Sequence, residues 1–169
     1  MDDVALATLC REMHKDCEAA LASLETSVVV FAEPGTGRLA GCGHYVARFF
    51  NIIEQMALRV AKAFENNIDD ERGWHTELIR RLNLDIPEIR PALFSDAAAA
   101  RLQHLRGFRH IFAHAYDLEF DPRQLELQLD YARGVADELP ASVNRFIEGV
   151  AAMHGLAIPP AQSHRSRPR

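Results

Sequence analysis

Val46, Phe50, Ile53, Ala57, Val60 and Phe64 follow one another at alternating steps of four and three residues. That spacing lays all six along one seam of an α-helix. A second seam of the same kind runs through Leu125, Leu129, Ala132, Ala136, Leu139, Val143, Phe146, Val150 and Met153. Such seams suit near-antiparallel packing against other helices, and the rest of the chain is also helical in period, so the fold expected is an all-α, up-and-down bundle of four to five helices. No internal repeat and no low-complexity core interrupts it.

The turn signals divide the chain. A first helix is predicted over 3–32, although its end, 27–31, is rich in β-branched residues and is also compatible with a short extended piece. Glu33, Pro34, Gly35, Thr36 and Gly37 make a turn. The best-defined helix spans 43–66, a polar connection covers 66–73, and a shorter helix covers 74–84. Pro87 and Pro91 bracket an irregular link. Ser95 is a plausible N-cap for a helix over 96–116, and Asp121 with Pro122 opens a last one that reaches 154. Pro140 lies inside that last stretch, so a kink or a break into two helices is expected. The 169 residues, 48% of them hydrophobic, suffice for one domain, placed at 1–158. The tail 159–169 is Pro- and Arg-rich without apolar period and is expected to be disordered.

Cys10, Cys17 and Cys42 form an odd set without CxxC spacing, which suits a reducing cytoplasm. The N-terminus is acidic, and the longest apolar run falls far short of the roughly 20 residues of a membrane span. A soluble, cytoplasmic protein without membrane contact is expected.

Charge is distributed unevenly. The chain carries a formal net charge of -5, yet 97–116 holds Arg101, Arg106, Arg109, His104, His110 and His114 and no acidic residue. Local cations in an acidic chain point to a local anionic ligand better than to a general polyanion surface. On a helical projection Arg109 and Tyr116 fall in the apolar arc of Leu102, Leu105 and Phe112, whereas Gln103, Arg106, His110 and His114 form an adjacent polar arc. A cation in an apolar stripe needs a cleft or an anionic partner, and a structural ion pair with Glu54 or Glu65 competes with a ligand for that role.

Several other polar residues carry two readings. His110 and His114 are four apart, a spacing that can place two imidazoles on one metal, but no HExxH, ExxH or CxxC completes a site. No metal and no cofactor is expected, and nothing resembles a P-loop, a dinucleotide-binding turn or a serine triad. His44, Trp74 and His75 either line a cleft or anchor the core. Asn51, Glu54 and Arg59 form either a polar network inside the bundle or support for the site.

The pattern Arg109, four residues, His114, one residue, Tyr116 resembles the signature of HEPN-domain ribonucleases of the HepT type. Further blocks extend the likeness over roughly 40–120: His44-Tyr45, Asn51, Glu54, Arg59, Ala61, Phe64-Glu65, Trp74-His75, Arg90-Pro91 and Phe108-Arg109-His110. Ala113 is a departure, since some relatives carry a further basic residue there, and it bears on substrate affinity more than on chemistry. The resemblance implies a metal-independent endoribonuclease toxin, active as a homodimer with paired motifs in one cleft. It also implies a minimal nucleotidyltransferase (MNT) as antitoxin partner, which inactivates the toxin by AMP transfer to Tyr116.

The residues fit that chemistry. Arg109 offers a planar, permanently charged fork to phosphate oxygens. His114 suits proton transfer, because an imidazole with an ordinary pKa of about 6.5 holds both forms near neutral pH. His110, Arg106, Asn51 and Glu54 are candidates for support. In a regular helix positions 109 and 114 diverge by about 140°. Either the helix loosens around 113–116, or two chains share the cleft about a two-fold axis. The alternative function is a catalytically silent helical module that docks a nucleotidyltransferase or a nucleotide.

Overall fold

A computed structural model describes residues 1–65, 74–114 and 121–158, except for the side chains of 74–76 and 113–114. Among the described residues there are six helices: α1 (Asp3–Ala32), α2 (Arg38–Phe64), α3 (Trp74–Leu82), α4 (Asp96–His114), α5 (Pro122–Ala136) and α6 (Leu139–His154). The all-α bundle is borne out. The polar connection over 66–73 and the tail 159–169 lie outside the described residues.

Local chemistry accounts for most boundaries. The Asp2 carboxylate accepts from Ala5 N at 2.8 Å and opens α1, while Ser95 Oγ accepts from Ala98 N at 3.0 Å and opens α4. Asp121 accepts from Arg123 N at 2.9 Å ahead of Pro122. Each satisfies an amide that has no partner within its helix. The β-branched end of α1 stays helical to Ala32, held by packing along α2, against which Leu24 and Ser27 are buried.

Three boundaries differ from the pattern, one of them the end of α2, at Phe64 instead of 66. α2 starts at Arg38, ahead of the predicted 43, because its two early glycines sit where neighbouring helices press close. A Cβ on Gly41 would meet Val30 Cγ1 at 2.9 Å, and one on Gly43 would meet Phe112 Cε2 at 2.7 Å. Close packing there outweighs the low helix propensity of glycine. α3 ends at Leu82 instead of 84, and the link beyond it is pinned by an isolated bridge between Ile86 and Arg90. The last stretch is two helices, as Pro140 allowed. The break precedes the proline, which lies in the first turn of α6, where its missing N–H costs nothing.

The first seam works as read: Val46, Phe50, Ile53, Ala57 and Val60 are all buried. So is a second stripe, Cys42, Phe49 and Met56, because α2 is the central element and packs on α1, α3, α4 and α5. The second seam is buried from Leu125 to Val150 and emerges only at Met153. Cys10, Cys17 and Cys42 are buried free thiols. Among the described residues no helix is long and apolar enough to cross a membrane.

Candidate functional site

The C-terminal half of α4 lies across the first half of α2. Leu102 and Leu105 of α4 are fully buried, and one turn further on Phe108 and Phe112 close over Gly43. Their rings sit 5.8 Å apart. Gly43 therefore sets how near α4 can come. Arg109 continues the same arc and is half-buried. Its Nε donates to Asn51 Oδ1 on α2 at 3.0 Å. Between the two helices opens a cleft of about 520 Å³ lined by His44, Ala47, Arg48, Asn51, Arg109 and Phe112.

The other residues singled out above are dispersed. Glu65, considered as a partner for Arg109, instead pairs with Arg90 at 2.8 Å and with Arg81 at 3.1 Å. Glu54 is buried on α2 and does not line the cleft. Arg59 reaches α1, bonding Asp16 at 2.9 Å and Glu12 at 3.2 Å, so it braces the bundle. Arg106 donates to Gln103 Oε1 one turn back at 3.0 Å, and His110 is exposed. Neither lines the cleft. His44 does. Trp74 and His75 open α3, but their side chains are outside the described residues, as is that of His114 at the end of α4; Tyr116 lies wholly outside them.

The acid-free segment is thus divided among several neighbours. Arg101 approaches Glu138 at 3.7 Å, and the His104 ring stacks on Tyr131 of α5 with centroids 4.5 Å apart. Among the described side chains of this segment, Arg109 is the cation that lines the cleft beside α2. Leu102 and Leu105, at the start of the apolar arc that holds Arg109, are covered within the chain itself.

Sequence reasoning missed two contributors, Arg48 and Gly43. Arg48 is four residues after His44 and three before Asn51, a spacing that places the three on one side of α2. Its position off the apolar seam was the available signal. Gly43 carried no signal beyond its type.

Chemically the cleft is receptive to anions. Two guanidinium groups and an imidazole line it, no carboxylate does among the described residues, and Ala47 with Phe112 supplies an apolar wall. Low-dielectric walls strengthen the attraction of such cations for a phosphate. Among the described residues no three His, Cys, Asp or Glu side chains converge as a metal cage would.

No curated protein and no solved structure matches the chain. A family model described as HepT-like protein matches residues 41–150. The match spans α2 and α4, both walls of the cleft, and runs through most of α6; the chain belongs to the HepT-like protein family.

Proposed function

We propose that this protein is a metal-independent endoribonuclease, the toxin of a toxin–antitoxin pair, and that Arg109 and His114 carry the reaction. The observation that carries the reading is Arg109 held by Asn51 at the edge of a cleft that has no carboxylate among its described lining residues, within a chain of the HepT-like family. The 2'-hydroxyl of RNA loses its proton and attacks the adjacent phosphorus, the bond to the 5'-oxygen breaks, and that oxygen takes up a proton. Arg109 donates to the phosphate oxygens as charge builds on them, and His114 moves a proton. The products are a 2',3'-cyclic phosphate and a 5'-hydroxyl.

α4 is helical through His114, which turns positions 109 and 114 about 140° apart. That divergence favours a homodimer in which two copies complete one cleft. Tyr116 is the control point in this reading. An adenylate transferred to its phenolic oxygen by the nucleotidyltransferase antitoxin brings a negative phosphate that competes with RNA for Arg109.

The test is incubation of RNA with antitoxin-free protein in EDTA. Cleavage leaving cyclic phosphate or 3'-phosphate ends is expected, and Arg109→Ala or His114→Ala should each lower it by roughly 10² to 10³ while helical CD is retained. RNA left intact by the parent protein overturns the reading in favour of the silent docking module. Light scattering should show a dimer at micromolar concentration. Intact mass after co-expression with the nucleotidyltransferase should show whole AMP additions that vanish in Tyr116→Phe.

A further inference from the structure

Arg48 has no part in the reaction as drawn above, yet it lines the same cleft as Arg109. It is exposed on α2, and among the described residues it forms no ion pair or hydrogen bond, unlike Arg38, Arg59, Arg81, Arg90 and Arg101. Its exposed side chain lies on a cleft wall beside His44 and opposite a second arginine.

We infer that Arg48 is a positioning residue that holds a second phosphate of a single-stranded RNA, next to the phosphate taken by Arg109. The inference rests on the ribonuclease reading for its substrate class. Two guanidinium groups on separate helices give two anchoring points, which suits a chain of successive phosphates better than the lone phosphate of a nucleotide. Ala47 and Phe112 share the lining with these polar groups as an apolar wall, where a sugar or base face can rest. Helices pack with axes about 8–10 Å apart, so a cleft between two of them admits one strand. A duplex is recognised across a broad minor groove instead. Because the chain as a whole carries a net charge of -5, a polyanion gains attraction only where cations cluster, and removing one of the two in the cleft should be felt strongly.

The experiment separates binding from cleavage. Full-length protein carrying His114→Ala is titrated onto a fluorescently labelled single-stranded oligoribonucleotide over a range of salt concentrations, with and without Arg48→Gln. Arg48→Gln should weaken binding about tenfold near 0.1 M salt and flatten the salt dependence by about 0.7, the loss of one phosphate contact on a single strand. Arg48→Lys should restore the slope. Arg11→Gln removes the same charge from the exposed face of α1, near the Glu12 and Asp16 pairs, and should leave the slope alone. In protein with His114 intact, Arg48→Gln should raise KM more than it lowers kcat. Equal affinity and slope in the Arg48→Gln variant, or equal flattening by Arg11→Gln, overturns the inference while leaving the ribonuclease reading standing. Arg48-dependent binding by a protein that does not cut RNA in EDTA rejects that reading and keeps the inference. Full competition by 5'-AMP at the concentration of oligonucleotide phosphate overturns it in favour of a single-phosphate site.

Discussion

Arg109 Nε donates to Asn51 Oδ1 at 3.0 Å, and this bond joins α4 to α2 at the edge of the cleft. With Nε committed, the donors left for a phosphate are those on the two Nη nitrogens. The amide thus orients the cation without neutralising it, which a carboxylate in the same place would do.

Asn51→Ala should therefore lower RNA cleavage about tenfold, equivalent to about 1.4 kcal/mol of transition-state stabilisation. Asn51→Asp should do more harm, because the new charge pairs with Arg109 and repels the substrate. Steady-state kinetics on one RNA check both. An Asn51→Ala variant as active as the parent would show that Arg109 is not oriented through this bond, and an equally active Asn51→Asp variant that its charge need not stay free.

Gly43 and Gly107 make opposite predictions. A Cβ on Gly43 would lie 2.7 Å from the Phe112 ring, whereas one on Gly107 meets nothing within 4 Å. Both residues are helical, so alanine gains about 1 kcal/mol of helix propensity at either. At Gly107 that gain stands alone, and Gly107→Ala should stabilise the protein by about 0.5–1 kcal/mol. At Gly43 overpacking outweighs it, giving a net loss of about 1–2 kcal/mol and a displaced Phe112 in the cleft wall. Urea denaturation of the two variants side by side decides the matter.

Burial pushes the Cys42 thiol up to about 11, with the Arg133 charge pulling weakly the other way. Burial raises Cys10 as well, and burial together with the neighbouring Glu18 charge raises Cys17. At pH 8 all three should react slowly with a disulfide reagent in the native protein and at once in denaturant. The linked stability follows in sign: above the ordinary thiol value of 9.0 the unfolded chain loses a proton that the fold retains, so stability falls as pH rises from 9.0 toward about 11. Rapid labelling of native protein would contradict the burial.

The seams made the helices legible, and the cap residues Ser95 and Asp121 made their starts legible, because both signals are local. Arg109 was also legible as a cation in an apolar arc. Its partner was not. Asn51, Glu54 and Glu65 lie on or beside α2 within a few turns, and only the rotation of α2 against α4 decides which of them Arg109 meets. Gly43 sets that approach through the absence of a side chain, which leaves no periodic trace. The same limit hid Arg90, which in sequence is one more surface-type cation beside a proline.

Arg90 is fully buried, and it ties the link between α3 and α4 to the end of α2. Its Nη2 donates to Glu65 Oε1 at 2.8 Å and to the Arg81 carbonyl at 3.1 Å, and its Nη1 donates to the Leu84 carbonyl at 3.0 Å. A buried charge is tolerated only with such partners, and its removal leaves them unpaired. Arg90→Ala should cost about 3–5 kcal/mol, and Glu65→Gln somewhat less, since it keeps an acceptor but leaves the cation uncompensated. Arg90→Met fills most of the volume without the charge. Combined with Glu65→Gln, it should cost clearly less than the sum of the two single changes, because the second change no longer strands a charge. Both residues lie away from the cleft, so the loss should appear in unfolding by urea and not in kcat measured well below the melting temperature. Strict additivity in the double variant would mean that the pair contributes packing alone.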